Sequence, residues 1–138
     1  MIKAAAETDR QRSQRASAND RAARYSPFLR AAIAAFPAIA GNFERSGSAS
    51  AIAEALAQSA DSVGAALRRQ RHALALAVAL GDLAGELSLE AVTAHLSAFA
   101  DHAIDAALTA AISERAPDEE PRGVAVIALG KLGSGESF

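Results

Sequence analysis

Gly130, Lys131, Gly133, Ser134 and Gly135 place small residues and one cation in a single turn, directly after the apolar run Val124–Leu129. Small residues let backbone amides come close to phosphate oxygens, and a neighbouring hydroxyl can add a bond. A strand feeding such a Gly-Ser turn can cradle a triphosphate, with two carboxylates on a following strand holding magnesium. Two better-known phosphate loops do not fit. A Walker A loop needs a hydroxyl after its Gly-Lys, and Leu132 stands there. A dinucleotide fingerprint needs the opposite glycine spacing and a helix after it. An ordinary glycine-rich turn remains open.

Three further groups could carry chemistry. His95 and His102 recur seven residues apart beside Asp101 and Asp105, a pattern compatible with a metal site or with unremarkable helix-surface positions. Arg68, Arg69 and Arg71 form a cationic cluster. It could meet phosphate or an acidic partner, or lie on a solvated face whose arginine stems cover apolar surface. Asp82 in Gly-Asp-Leu-Ala-Gly reads as a local cap or pair without a catalytic role.

The elements that must position these residues are helical. The chain is rich in Ala and Leu and has no Trp, a composition that favours helices with thin contacts. Ser26 and Pro27 open a helix carrying Phe28, Ala32, Ala35 and Phe36 on one face, and Pro37 ends or kinks it. Gly41 and Asn42 are expected to close the next turn. A short second helix follows, capped by Ser48 or Ser50, with Ile52, Leu56 and Ala60 as its stripe. Asp61 is expected to cap a long third helix bearing Val63, Leu67, Leu74 and Val78, widened by Leu76, Leu80 and Leu83 and loosened at its end by Gly81 and Gly85. Ser88 opens a fourth, with Glu90 at its positive end and a face of Val92, Leu96, Phe99, Ala103, Leu108 and Ile112. The third and fourth should pair antiparallel across the short turn between them.

Before these helices, residues 1–25 show little apolar periodicity beyond alanine and read as a disordered leader or frayed helix. After them, residues 115–123 hold prolines, acids and a glycine that break any helix. Val124–Leu129 is β-branched and unbroken, which predicts a buried strand. A buried strand needs neighbours, and none is evident elsewhere in this sequence.

Composition excludes several classes. Net charge is −2, so there is no electrostatic case for nucleic acid. Cysteine is absent, which removes disulfides, thiolate chemistry and Cys-based zinc sites and fits a cytoplasmic location. A membrane span needs about 18 apolar residues, and His72 to Leu80 reaches roughly half that. Glu7, Asp9 and Asp20 argue against a transit peptide in the Arg- and Ser-rich leader.

The stretch Val-Ala-Val-Ile-Ala-Leu-Gly-Lys-Leu-Gly-Ser-Gly-Glu resembles the start of the nucleotidyltransferase domain in the bacterial glutamine synthetase adenylyltransferase/adenylyl-removing family. Upstream, the segment from Leu67 through Leu108 is similar to that family's Arg-rich helix, its Asp-Leu-Ala-Gly turn and its Leu-Ser-x-Phe-Ala-Asp helix. Ser26–Pro37 is similar to a segment near the family's N-terminus. The resemblance covers about Ser26 to Glu136 and is specific in combination.

It implies a mainly α chain: a helical lead-in over 26–114 with two long antiparallel helices, a linker at 115–123, and at 124–138 the first strand and Gly loop of a truncated polymerase-beta-type nucleotidyltransferase domain. It implies that Gly130, Lys131, Gly133 and Ser134 lie against nucleotide or phosphate, with Glu136 as the acid after the glycines and Ser137 where Leu is usual. The parent reaction would use ATP and Mg2+. It would add AMP to a tyrosine of glutamine synthetase and remove it by phosphorolysis, with a nitrogen-signalling regulatory protein as a further partner and neither nucleic acid nor membrane. The short leader points to the adenylyl-removing half. The Asp pair that would hold magnesium is not in this chain, so the resemblance implies no catalytic residue, no metal ligand and no activity for the chain alone. The alternative is a non-enzymatic helical interaction module whose last strand joins a partner's sheet edge.

Overall fold

The computed structural model describes residues 2–118 and 123–130, with side chains from residue 8 onward. Among the described residues six helices account for the order: α1 Ile2–Tyr25, α2 Pro27–Ala35, α3 Pro37–Ser46, α4 Ser48–Leu56, α5 Val63–Leu83 and α6 Leu89–Arg115. Among the described residues there is no strand, and no helix is long and apolar enough to cross a membrane.

α5 is the central element and packs against α1, α2, α3, α4 and α6. Its sequence explains the position. Ala73, Leu74, Leu76, Ala77, Val78, Leu80 and Gly81 are all buried, a stripe too wide for a helix with one wet side. Phe43 and Ile39 of α3 and Ala51, Ile52 and Ala55 of α4 complete the core on one side. α6 packs only on α5 and buries Phe99 alone. The pair runs antiparallel as expected: Leu87 lies by Gly81, Leu96 by His72 and Ala75, and His102 by Gln70.

The expected leader is instead a helix. Ala18 and Ala22 are fully buried, and Arg15, Ala18, Asn19 and Ala22 share one face by their spacing. Asn19 Nδ2 donates to the Ala40 carbonyl at 3.3 Å, and Arg21 donates to the Leu83 carbonyl. Small side chains let the backbones approach closely, and a search for large apolar residues passes over such a face.

The cap at Ser26 forms as expected, its hydroxyl accepting from the Leu29 amide at 3.2 Å, and Pro37 restarts the chain as α3. The buried face of α2 is turned by one position, however. Leu29, Ala32, Ile33 and Phe36 pack inward, while Phe28 and Ala35 face solvent. Gly41 and Asn42 do not close a turn but lie inside α3. Gly47, at φ 88°, ends it. In α4, Ser48, Ala51, Ile52 and Ala55 are buried, whereas Leu56 at its end is exposed, as is Ala60 beyond the helix. The cap of α5 is Ser62, one residue after Asp61, with its hydroxyl accepting from the Ala65 amide at 3.2 Å. Ser88 caps α6 in the same way through the Ala91 amide. Glu90 is held below the ordinary glutamate range by its own backbone amide first and by the Ser88 hydroxyl second.

The end of α5 is tight, not loosened. Gly85 at φ 74° donates to the Asp82 carbonyl at 2.9 Å, and Glu86 donates to the Gly81 carbonyl at 2.8 Å, the two bonds of a Schellman close. Gly81 itself is a point of close approach. A Cβ there would stand 2.7 Å from Leu87 Cδ1 and 2.9 Å from Ser48 Cβ.

Candidate functional site

Val124–Leu129 carries no regular structure and is exposed throughout, Ile127 at 79% and Leu129 at 83%. The expected buried strand is therefore not formed here. A strand's amides and carbonyls need a second backbone, and the described residues supply only helices, whose backbone groups are already paired. The segment is bracketed by Gly123 at φ 84° and Gly130 at φ 67°, both in the left-handed region with open space where a side chain would begin. Gly130 is the one phosphate-loop candidate within the described residues. Lys131, Gly133, Ser134 and Glu136 lie outside them, so the loop's geometry is given by its first residue alone.

The arginine cluster is divided by the helix on which it sits. Arg69 Nε donates to Gln58 Oε1 at 2.9 Å, and its guanidinium lies 5.2 Å from the Phe36 ring centroid. Gln70 Nε2 donates to the Gln58 carbonyl at 2.8 Å. Arg69 and Gln70 thus tie the end of α4 to α5. Arg71 faces α6 beside His72. Successive helical residues are about 100° apart, which is why three nearby arginines make no single phosphate cradle.

His95 and His102 do come to one groove, of ≈ 300 Å³, with Leu56, Gln70, Ala98 and Phe99. Asp101 and Asp105 stay exposed on α6. Among the described residues no three His, Cys, Asp or Glu side chains are placed to hold a metal. Asp82 lines a shallow groove between α1 and the end of α5, with Ser13, Ser17 and Arg21, and its carbonyl serves the Schellman close.

Two arrangements escaped sequence reasoning. Glu86 accepts from Arg15 and, at 2.7 Å, from the Ser48 amide, so a residue of the α5–α6 turn caps α4 and clamps α1. Partial burial raises its carboxyl. The Arg15 and Ser48 hydrogen bonds more than offset this and hold it below the usual glutamate value. The second is His72, whose ring lies between Phe28 at 5.5 Å and, edge-on, Phe36 at 5.4 Å. Neither has a local motif, because each joins segments distant in sequence.

A family model described as glutamate-ammonia ligase adenylyltransferase matches residues 13–137. The chain is also 43% identical over 82 residues to a bifunctional glutamine synthetase adenylyltransferase/adenylyl-removing enzyme of Xanthobacter autotrophicus, an alignment covering 51% of this chain. It spans only 8% of that relative's length. No solved structure matches.

Proposed function

Because this chain belongs to the glutamate-ammonia ligase adenylyltransferase family, we propose that it supplies the helical lead-in and the first phosphate-facing loop of a cytoplasmic nucleotidyl-transfer enzyme acting on glutamine synthetase. The single observation that carries this is the family match, whose bounds, residues 13–137, take in most of α1 and the Gly130–Ser134 loop.

The bundle's part on this reading is to lead into the glycine loop, whose final position is set by contacts beyond the bundle. Gly130 already has a backbone conformation that L side chains rarely adopt, and nothing crowds it. Lys131 would add positive charge, and the amide and hydroxyl at Gly133 and Ser134 would approach a phosphate of ATP or the phosphate that attacks AMP-tyrosine. Magnesium would neutralise charge on the transferring phosphoryl oxygens. The described residues do not fit that ion, since they offer no carboxylate cluster. Its ligands must come from elsewhere, and on this reading the chain alone is inactive. Val124–Leu129 would become a strand once a second strand lies beside it. The adenylyl-removing half is our choice between the family's two activities, and a nitrogen-signalling protein remains a candidate regulator of the whole enzyme.

A chimera tests this. The chain replaces its aligned segment in the Xanthobacter autotrophicus relative, and AMP addition and phosphate-dependent AMP removal on glutamine synthetase are measured separately. Gly133→Val, whose side chain would keep the phosphate from the backbone amide, should cut removal by about a hundredfold or more, on the scale of losing one phosphate-stabilising donor, and leave addition intact. Loss of addition alone would move the chain to the other half. Full retention of both activities would remove the nucleotide-binding assignment.

The exposure of Val124, Val126, Ile127 and Leu129 favours one second reading: an interaction module whose tail adds to a partner's sheet. On that reading the Gly133 substitution leaves both activities unchanged, while Ile127→Asp abolishes partner capture.

A further inference from the structure

Phe28 of α2, Arg71, His72 and Ala75 of α5, and Leu96 of α6 enclose a groove of ≈ 240 Å³, separate from the one lined by His95 and His102. Its wall is built, not incidental. Phe36 is buried and meets the His72 ring edge-on at 84°, which fixes the imidazole. His72 in turn lies against Phe28 at an interplanar angle of 34°. Phe28 is nevertheless 55% exposed, and Tyr25, three residues earlier at the α1–α2 junction, is 73% exposed. The chain has only five Phe and one Tyr. Leaving two of them in solvent at one junction sacrifices their large burial, whereas half-exposed aromatics beside arginine are typical of binding surfaces.

Arg71 lines the groove, and two further arginines stand at the α1–α2 junction. Arg30 donates to the Ala23 carbonyl at 2.7 Å and to the Arg24 carbonyl at 3.5 Å, and Arg24 lies 5.4 Å from the Tyr25 ring centroid. Both cations are held there by neutral groups. Arg71 is exposed, and among the described residues no ion pair involves it, Arg24 or Arg30. Pockets for drug-sized ligands run about 300–1,000 Å³, so this smaller recess suits one inserted side chain better than a whole small molecule.

We propose that this groove is a docking site for an acidic segment of a partner protein. One aromatic or branched side chain enters between Phe28, Ala75 and Leu96, and flanking carboxylates meet Arg71, Arg24 and Arg30. Charge complementarity selects the partner, and the apolar recess sets its register. The surface is separate from the Gly130 loop and does not rest on the nucleotidyl-transfer reading.

The test uses the whole chain and two fluorescein-labelled heptapeptides, one with a central Phe flanked by Glu and Asp, the other with Lys in place of every acid. Anisotropy should show the acidic peptide binding at least about tenfold tighter than the basic one, and Arg71→Glu should remove about tenfold of that affinity. Arg71 makes no internal hydrogen bond, so its variant keeps the fold. Arg24→Glu gives a second charge reversal away from the pocket wall, and replacing the peptide's Phe by Ser should weaken binding as well. Amide shifts should cluster around Phe28, His72 and Leu96. Equal binding of the two peptides, an Arg71→Glu affinity equal to the parent's, or shifts centred elsewhere would each overturn the proposal.

Discussion

Glu86 shows how much one side chain can organise. Its carboxylate joins α1 through Arg15 and caps α4 through the Ser48 amide, at a turn it reaches only because Gly85 takes a left-handed conformation. Glu86→Ala leaves the Ser48 amide and the Arg15 guanidinium without their acceptor and should cost about 1–3 kcal/mol, read by urea unfolding. The pH dependence follows from the direction of its shift. The folded carboxyl titrates below the unfolded one, so its contribution is present above the ordinary glutamate range and is lost as pH falls through the lower folded value. The stability gap between parent and Glu86→Gln should therefore narrow on acidification. A gap that is constant down to strongly acid pH would show that the charge is not the stabilising feature. At Gly81 two effects oppose each other. Alanine is favoured over glycine in a helix by about 1 kcal/mol. Its Cβ would stand 2.9 Å from the Cβ of Ser48, which lies close to the backbone and cannot swing away as Leu87 can. Overpacking of this kind costs about 1–3 kcal/mol, so Gly81→Ala should destabilise, and a higher melting temperature would contradict the close approach.

The helix starts at Ser26 and Ser88 are legible because capping is a local interaction between neighbours in sequence, whereas neither Ser48 nor Ser50 caps α4, where Gly47 stands at the cap without a side-chain bond. Ser62 was missed by one residue because Asp61 offers the same chemistry. α1 was illegible for a different reason: its buried face is Ala18 and Ala22, and alanine has no contrast against an alanine-rich background. The rotation of α2 has a related cause. Phe28 is the larger residue, but it lies at the surface against His72, whose ring Phe36 meets edge-on. The strand expected at Val124–Leu129 was read from residue type, while strand formation depends on a partner that residue type does not reveal. Amide exchange follows from that distinction. Residues 124–129 should exchange at nearly unprotected rates, whereas α5 should show the slowest amides in the chain. Strong protection of Ile127 in a monomer would mean that it has found a backbone partner, and the strand reading would return without a second domain. Of the candidate site, only Gly130 could be compared with its expectation: a positive φ in open space suits a phosphate loop, but it also suits an ordinary turn.

The described residues form a bundle around α5, with α6 attached along one side. The lengths set a consequence. α6 has 27 residues and α5 has 21, about 40 Å against about 32 Å, so the last turns of α6 run past the start of their only helical neighbour. Stability should therefore be unevenly distributed along the chain. Leu76 is fully buried at the centre, and Leu76→Ala should cost about 2–5 kcal/mol through lost burial and the cavity left behind. Domains of this kind hold about 5–15 kcal/mol in total, so that single change should lower the global unfolding midpoint visibly by every probe. Ile112 sits in the overhang and is only partly covered. Ile112→Ala should leave the global midpoint within about 0.5 kcal/mol of the parent and speed exchange only in the last turns of α6. The contrast decides how the end of α6 is held. If Ile112→Ala lowers the global midpoint as much as Leu76→Ala does, the distal half of α6 belongs to the core, and the residues after it begin from a fixed support. If the two changes separate as expected, the chain from Ile112 to Gly130 is joined to the bundle by a helix free to fray, and a stable position for the glycine loop must be set by contacts beyond the bundle.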